Sequence, residues 1–206
     1  MGRGELAPKV EAIYQAVIQL YMEGADLNNL TVSEITAKAG IGKGTAYDYF
    51  SNKEEMIAGA LFYEMKNACQ RLYKCFQQEK DLYGKIYVLL TQIERQLTGT
   101  GCFFRALHVM MDHSSVGTRV RELIQNREDD ELLINDLLRV VIEEELANAK
   151  VSPEDREYLV LNAVSKIICF TMFQYDKKNM ASLNPQTLKE KICEDICSEI
   201  ERLKES

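Results

Sequence analysis

Lys43, Thr45, Tyr47 and Tyr49 place an ammonium group and three hydroxyls within seven residues. Such groups donate hydrogen bonds to phosphate oxygens and to the edges of bases. Gly44, among them, lets a backbone approach another surface closely. Lys53 and Thr31 flank the set, each at the predicted start of a helix, where orphan N–H groups favour an anion. Asp48 is the exception. Its carboxylate can accept from a cytosine amino group, or face solvent and repel phosphate. A second cluster, Cys102, His108, Asp112 and His113, has side chains that bind metals, with His108 and Asp112 four apart on one predicted helix. Only two histidines occur in the chain, and no HExxH-like pair accompanies them, so no metal site is assigned. No G-x-S-x-G elbow, phosphate loop or dinucleotide fingerprint is present. Neither catalytic residues nor a cofactor are therefore expected, and the chain is not expected to be an enzyme.

Short helices must position the first set. Val32, Ile35 and Ala39 fall at helical spacing behind Thr31, whose hydroxyl can cap a first turn. Gly40 stops this helix, since glycine takes a left-handed position without steric cost. Ile41 is the apolar plug after the turn, and a second helix runs from Gly42 to Phe50, with Ala39 and Phe50 assigned to the core. Ser51 with Glu54 predicts a capping box for the next. Helix, glycine turn and short helix make the arrangement that lays its second helix in a major groove.

The pattern T-V-x-x-I-x-x-x-A-G-I-x-x-G-T-x-Y-x-Y-F-x-N-K-E-E over these residues resembles the DNA-binding signature of the TetR/AcrR family of bacterial transcriptional regulators. The close resemblance covers Ile13 to about Met56. Thr36 stands where that family usually has alanine, Gly42 where it often has serine, and Ala46 where it favours a larger apolar residue. The resemblance implies that Lys53 clamps a phosphate, that the helical body binds a small-molecule effector, and that the protein is a homodimeric repressor released from a palindromic operator. The rival is a helical metal or redox sensor or enzyme, using Cys102, His108, Asp112 and His113 under a vestigial head.

The composition fits an all-helical protein: three prolines and no tryptophan in 206 residues, with 46% hydrophobic residues. About nine helices are expected, in two domains: a DNA-binding head over residues 1–55 and an effector-binding, dimerising body over 56–206. The first helix runs from Pro8 to about Glu23, ahead of Gly24, and the short arm before it carries Arg3. The fourth continues to about Gln78; Asp81 caps the fifth. Residues 115 to 149 read as one long helix or a kinked pair, with the acidic run Glu128–Glu131 as a solvated face. Ser152-Pro153 and Asn184-Pro185 open the last two. Val164, Ile168, Ile192, Ile196 and Ile200 on these are expected to form a four-helix dimer interface. Met65, Cys69, Phe103, Phe104, Leu107, Met111 and Phe170 are the candidates for an apolar effector pocket.

Charge argues the other way. Residues 1–55 hold five basic and eight acidic groups, a net of −3 within the chain's −7. A basic domain is the usual footprint of a nucleic-acid binder, so phosphate contact here must come from a few lysines, hydroxyls and helix N-termini. The six cysteines sit in apolar helical patterns without CxxC spacing, and read as small buried hydrophobes, or failing that as redox sensors. No apolar run long enough to cross a membrane and no secretion signal is seen, which places the protein in the cytoplasm as an expectation.

Overall fold

The computed structural model describes residues 6–98, 113–127, 132–175 and 182–205. These residues form nine α-helices and no strand, so the fold is all-α as expected. The helices are α1 (Pro8–Met22), α2 (Val32–Ala39), α3 (Lys43–Tyr47), α4 (Lys53–Phe76), α5 (Leu82–Thr98), α6 (Ser115–Gln125), α7 (Ile134–Glu145), α8 (Pro153–Tyr175) and α9 (Pro185–Lys204).

The helix ends follow from local chemistry. Thr31 Oγ1 accepts from the Glu34 N–H while a Glu34 carboxylate oxygen accepts from the Thr31 N–H at 2.8 Å, a full capping box for α2. Gly40 ends that helix at φ +67°. At α8 the Asp155 N–H donates to Ser152 Oγ, and at α9 the Gln186 N–H donates to Asn184 Oδ1. One cap differs. Asn52, not Ser51, caps α4, accepting from the Glu55 N–H at 2.8 Å, while Glu55 reaches back to the Ser51 N–H. Both residues have an acid three positions on, so local sequence did not distinguish them.

The chain divides into two compact units. The first holds α1 to α3, α4 as far as Ala68, and α6; the second holds the rest of α4 with α5, α7, α8 and α9. In the first, Ile13 and Val17 of α1, Ile35 of α2, Ala46 of α3, Phe50 and Ile57 are buried. Tyr14 lies against Gly59 of α4, with Phe50 and Tyr63 at ring-centroid distances of 5.8 and 5.6 Å. Burial, with Glu55 nearby, holds the Tyr14 hydroxyl above its usual pKa. In the second unit α5, α8 and α9 pack on one another, and α7 packs on α5 and α8. Lys189 of α9, buried, pairs with Glu94 of α5 at 2.9 Å and lies over the Tyr87 ring.

Of the two readings of residues 115–149, one long helix or a kinked pair, the structure has two helices, α6 and α7. Asn126 closes α6, and the Asp136 carboxylate accepts from the Leu133 N–H to open α7. The acidic run 128–131 lies outside the described residues, as do Arg3 and residues 99–112.

Candidate nucleic-acid interface

α3 is only five residues long and buries one side chain, Ala46, completely. It ends at Tyr47 rather than running to Phe50, so Tyr49 projects from the turn that follows. Lys43, Gly44, Tyr47, Asp48 and Tyr49 are exposed, and Thr45 is half-buried. Gly42, extended at φ −70°, leads into the helix. Nothing lies within 4 Å of where a Cβ on Gly44 would sit, so the fold itself does not require glycine there. The set predicted from sequence is thus brought to one exposed surface, carrying an ammonium and phenol hydroxyls.

Thr31 and Lys53 are placed differently. The Thr31 hydroxyl donates to Glu34 at 2.7 Å, and these hydrogen bonds hold the Glu34 carboxyl below its usual pKa. Lys53 Nζ donates to the carbonyls of Asn28 at 2.7 Å and Leu30 at 3.1 Å. It therefore pins the loop between α1 and α2, and only its remaining N–H is open to an anion. Lys38 is tied to Glu23 of α1 at 2.7 Å. Among the described residues up to 55, Lys9 and Lys43 are the exposed lysines without an ion pair.

Met65, Cys69 and Phe170 are buried core residues, Met65 in the first unit and the other two in the second. Phe103, Phe104, Leu107 and Met111 lie outside the described residues, as do Cys102, His108 and Asp112 of the metal-capable cluster; His113 is exposed. Burial pushes the thiols of Cys69 and Cys193 up to about 12, which leaves them protonated and unreactive. Of the five interface candidates, Ile192, Ile196 and Ile200 are buried within their own chain, and Val164 is half-buried. Ile168 is exposed, together with three residues that were not singled out. Tyr158 (54%), Leu161 (64%), Ile168 (57%) and Met172 (63%) form one open apolar stripe on α8. With Ser165 their spacing alternates three and four, a heptad legible in the sequence but masked there by apolar residues on the other faces.

Residues 22–60 match the family model for bacterial regulatory proteins of the tetR family. Residues 22–60 are thus a DNA-binding segment of that family's type. The chain is 38% identical over 47 residues to the uncharacterised HTH-type transcriptional regulator YxbF of Bacillus subtilis (strain 168). That match spans 23% of this chain and 12% of YxbF. Among solved structures it resembles the fatty acid degradation regulator FadR from Bacillus halodurans, with TM-score 0.64 and 18% identity, covering 93% of this chain and 96% of that one. FadR from Bacillus subtilis in complex with stearoyl-CoA superposes with TM-score 0.61 at 15% identity, over 92% and 98% of the two chains. At such identities the likeness is one of fold. The chain therefore carries the DNA-binding segment of a tetR-type bacterial regulatory protein on an all-α fold shared with regulators of known structure. Among the described residues no helix is long and apolar enough to cross a membrane.

Proposed function

We propose that this regulator acts as a homodimeric repressor, released from a palindromic operator by a small-molecule effector. The observation that carries the dimer is the α8 stripe: four large apolar side chains, each more than half exposed, at the spacing of a helix–helix seam. A second copy, presenting the same stripe across a two-fold axis, covers it isologously. Two heads then meet two half-sites, which requires a palindrome. Residues up to 55 form the core of the DNA-binding head, with the effector-binding and dimerising part following. Genomic DNA as the target places the protein in the cytoplasm. Light scattering at micromolar concentration should give the mass of a dimer; a monomer would overturn the reading.

Two polar side chains in the second unit support an effector. Thr91 Oγ1 and both amide atoms of Gln174 are buried with no hydrogen-bond partner among the described residues. Buried polar groups are rarely left so, and a bound small molecule is one source of the missing partners. Release is a population shift, in which the effector favours a body arrangement that spaces the two heads wrongly for the operator.

The DNA-facing residues on this reading are Lys43, Gly44, Thr45, Tyr47 and Tyr49, with Thr31 and Lys53 at flanking helix starts. Gly44→Ala separates fold from binding. Alanine in a helix is favoured over glycine by about 1 kcal/mol, and the added methyl meets nothing within the chain. The melting temperature should hold or rise while operator affinity falls severalfold in a fluorescence titration. Lys53→Ala should do both kinds of damage. Loss of two carbonyl contacts costs stability, about 1–3 kcal/mol for hydrogen bonds to a charged group, and binding weakens about equally for every sequence. Unchanged urea unfolding of that variant would dismiss the loop-pinning role. With Lys38 and Lys53 already engaged, the operator's log–log salt slope should be shallower than about −6. A steep slope in titrations across salt concentrations would show wider phosphate contact.

A further inference from the structure

Successive helical residues turn by about 100°, so Gly44 and Asp48 each lie roughly 160° from the wholly buried Ala46. Asp48 keeps helical backbone angles, φ −67° and ψ −23°, as the residue that closes α3. These two positions therefore form the outermost face of the helix, and Asp48 bears its only side chain longer than hydrogen. Asp48 is exposed, and its carboxylate has no hydrogen-bond or ion-pair partner among the described residues. Thr45 and Tyr47, one position to either side of Ala46, lie at the two flanks.

We propose that Asp48 selects cytosine at one position of each operator half-site, accepting a hydrogen bond from the cytosine amino group. This rests on the reading that α3 enters the major groove. The outermost face of a helix in that groove meets its floor, whereas phosphates line the rims and fall to the flanking hydroxyls. An ionised carboxylate only accepts. Guanine and thymine present acceptors on the floor, and adenine sets its N7 acceptor beside its amino group. Cytosine offers a donor with no acceptor on its own edge. Aspartate is short, so its backbone must come close to the floor. Gly44, one turn earlier on the same face, removes the side chain that would hold it off. A wrong base leaves the carboxylate desolvated opposite an acceptor, and costs about tenfold to a hundredfold in affinity.

The test is sequence selection from a randomised duplex pool, followed by titration of single-base operator variants, with the full-length protein, Asp48→Ala and Asp48→Asn. The exposed position leaves the fold intact, checked by circular dichroism. The unmodified protein should require cytosine at one half-site position. Asp48→Ala should lose the requirement there and nowhere else. Asp48→Asn should shift it to adenine, whose N6 and N7 asparagine contacts together. If Asp48→Ala binds all duplexes more tightly by one common factor, with base preferences unchanged, the carboxylate only repels phosphate and the proposal is wrong. Selection by the unmodified protein with no preference that either variant alters also overturns it, while leaving operator binding standing. An unmodified protein that selects no sequence overturns operator binding as well.

Discussion

Ile168→Glu should convert the protein to a monomer in solution and cut operator affinity by about 10²–10⁴, the advantage that linking two binding sites confers. Ile168 is 57% exposed at the middle of the α8 stripe, so within one chain a glutamate there meets water and unfolds nothing. Across a two-fold seam the substitution counts twice, placing two like charges where apolar side chains met, at a cost of several kcal/mol. Ile196→Glu provides the contrast. Ile196 is buried in its own chain at 4% exposure, so a charge there should melt the helical body rather than merely separate subunits. Ultracentrifugation with circular dichroism distinguishes the two. A dimeric Ile168→Glu variant with full operator affinity would remove α8 from the interface.

Gly59→Ala should destabilise the head by up to about 2 kcal/mol, although the same change usually stabilises a helix. A Cβ on residue 59 would stand 2.4 Å from the Tyr14 hydroxyl oxygen and 2.8 and 2.9 Å from two of its ring carbons. These are atoms of a rigid ring, held between Phe50 and Tyr63, so the ring cannot swing aside without repacking both. Overpacking of this kind costs about 1–3 kcal/mol. It outweighs the roughly 1 kcal/mol that alanine gains over glycine in a helix interior. Differential scanning calorimetry should show a lower transition, and operator binding should fall only as the folded fraction falls. An unchanged or higher melting temperature would mean that Tyr14 relocates freely.

Most of what the sequence determined by itself lies in bonds that close within a few residues. Thr31 with Glu34, Gly40 at positive φ, Ser152 with Asp155 and Asn184 before Pro185 each complete a hydrogen bond or a turn inside four positions, so residue type and spacing suffice. The exposed set on α3 was legible for the same reason, since a five-residue helix with one buried alanine leaves its other side chains outside. Tertiary structure decided the rest. Lys53 finds its carbonyls 25 and 23 residues away, and Lys38 its carboxylate 15 away, distances at which sequence specifies no partner. α8 and α9 both carry apolar residues in excess, and local pattern cannot say which stripe faces a neighbour in the same chain. Packing on α5 and α8 takes Ile192, Ile196 and Ile200 of α9 into the core, and leaves Tyr158, Leu161, Ile168 and Met172 of α8 outside. Burial is a property of the surface that arrives from elsewhere in the chain, and only the assembled helices specify it.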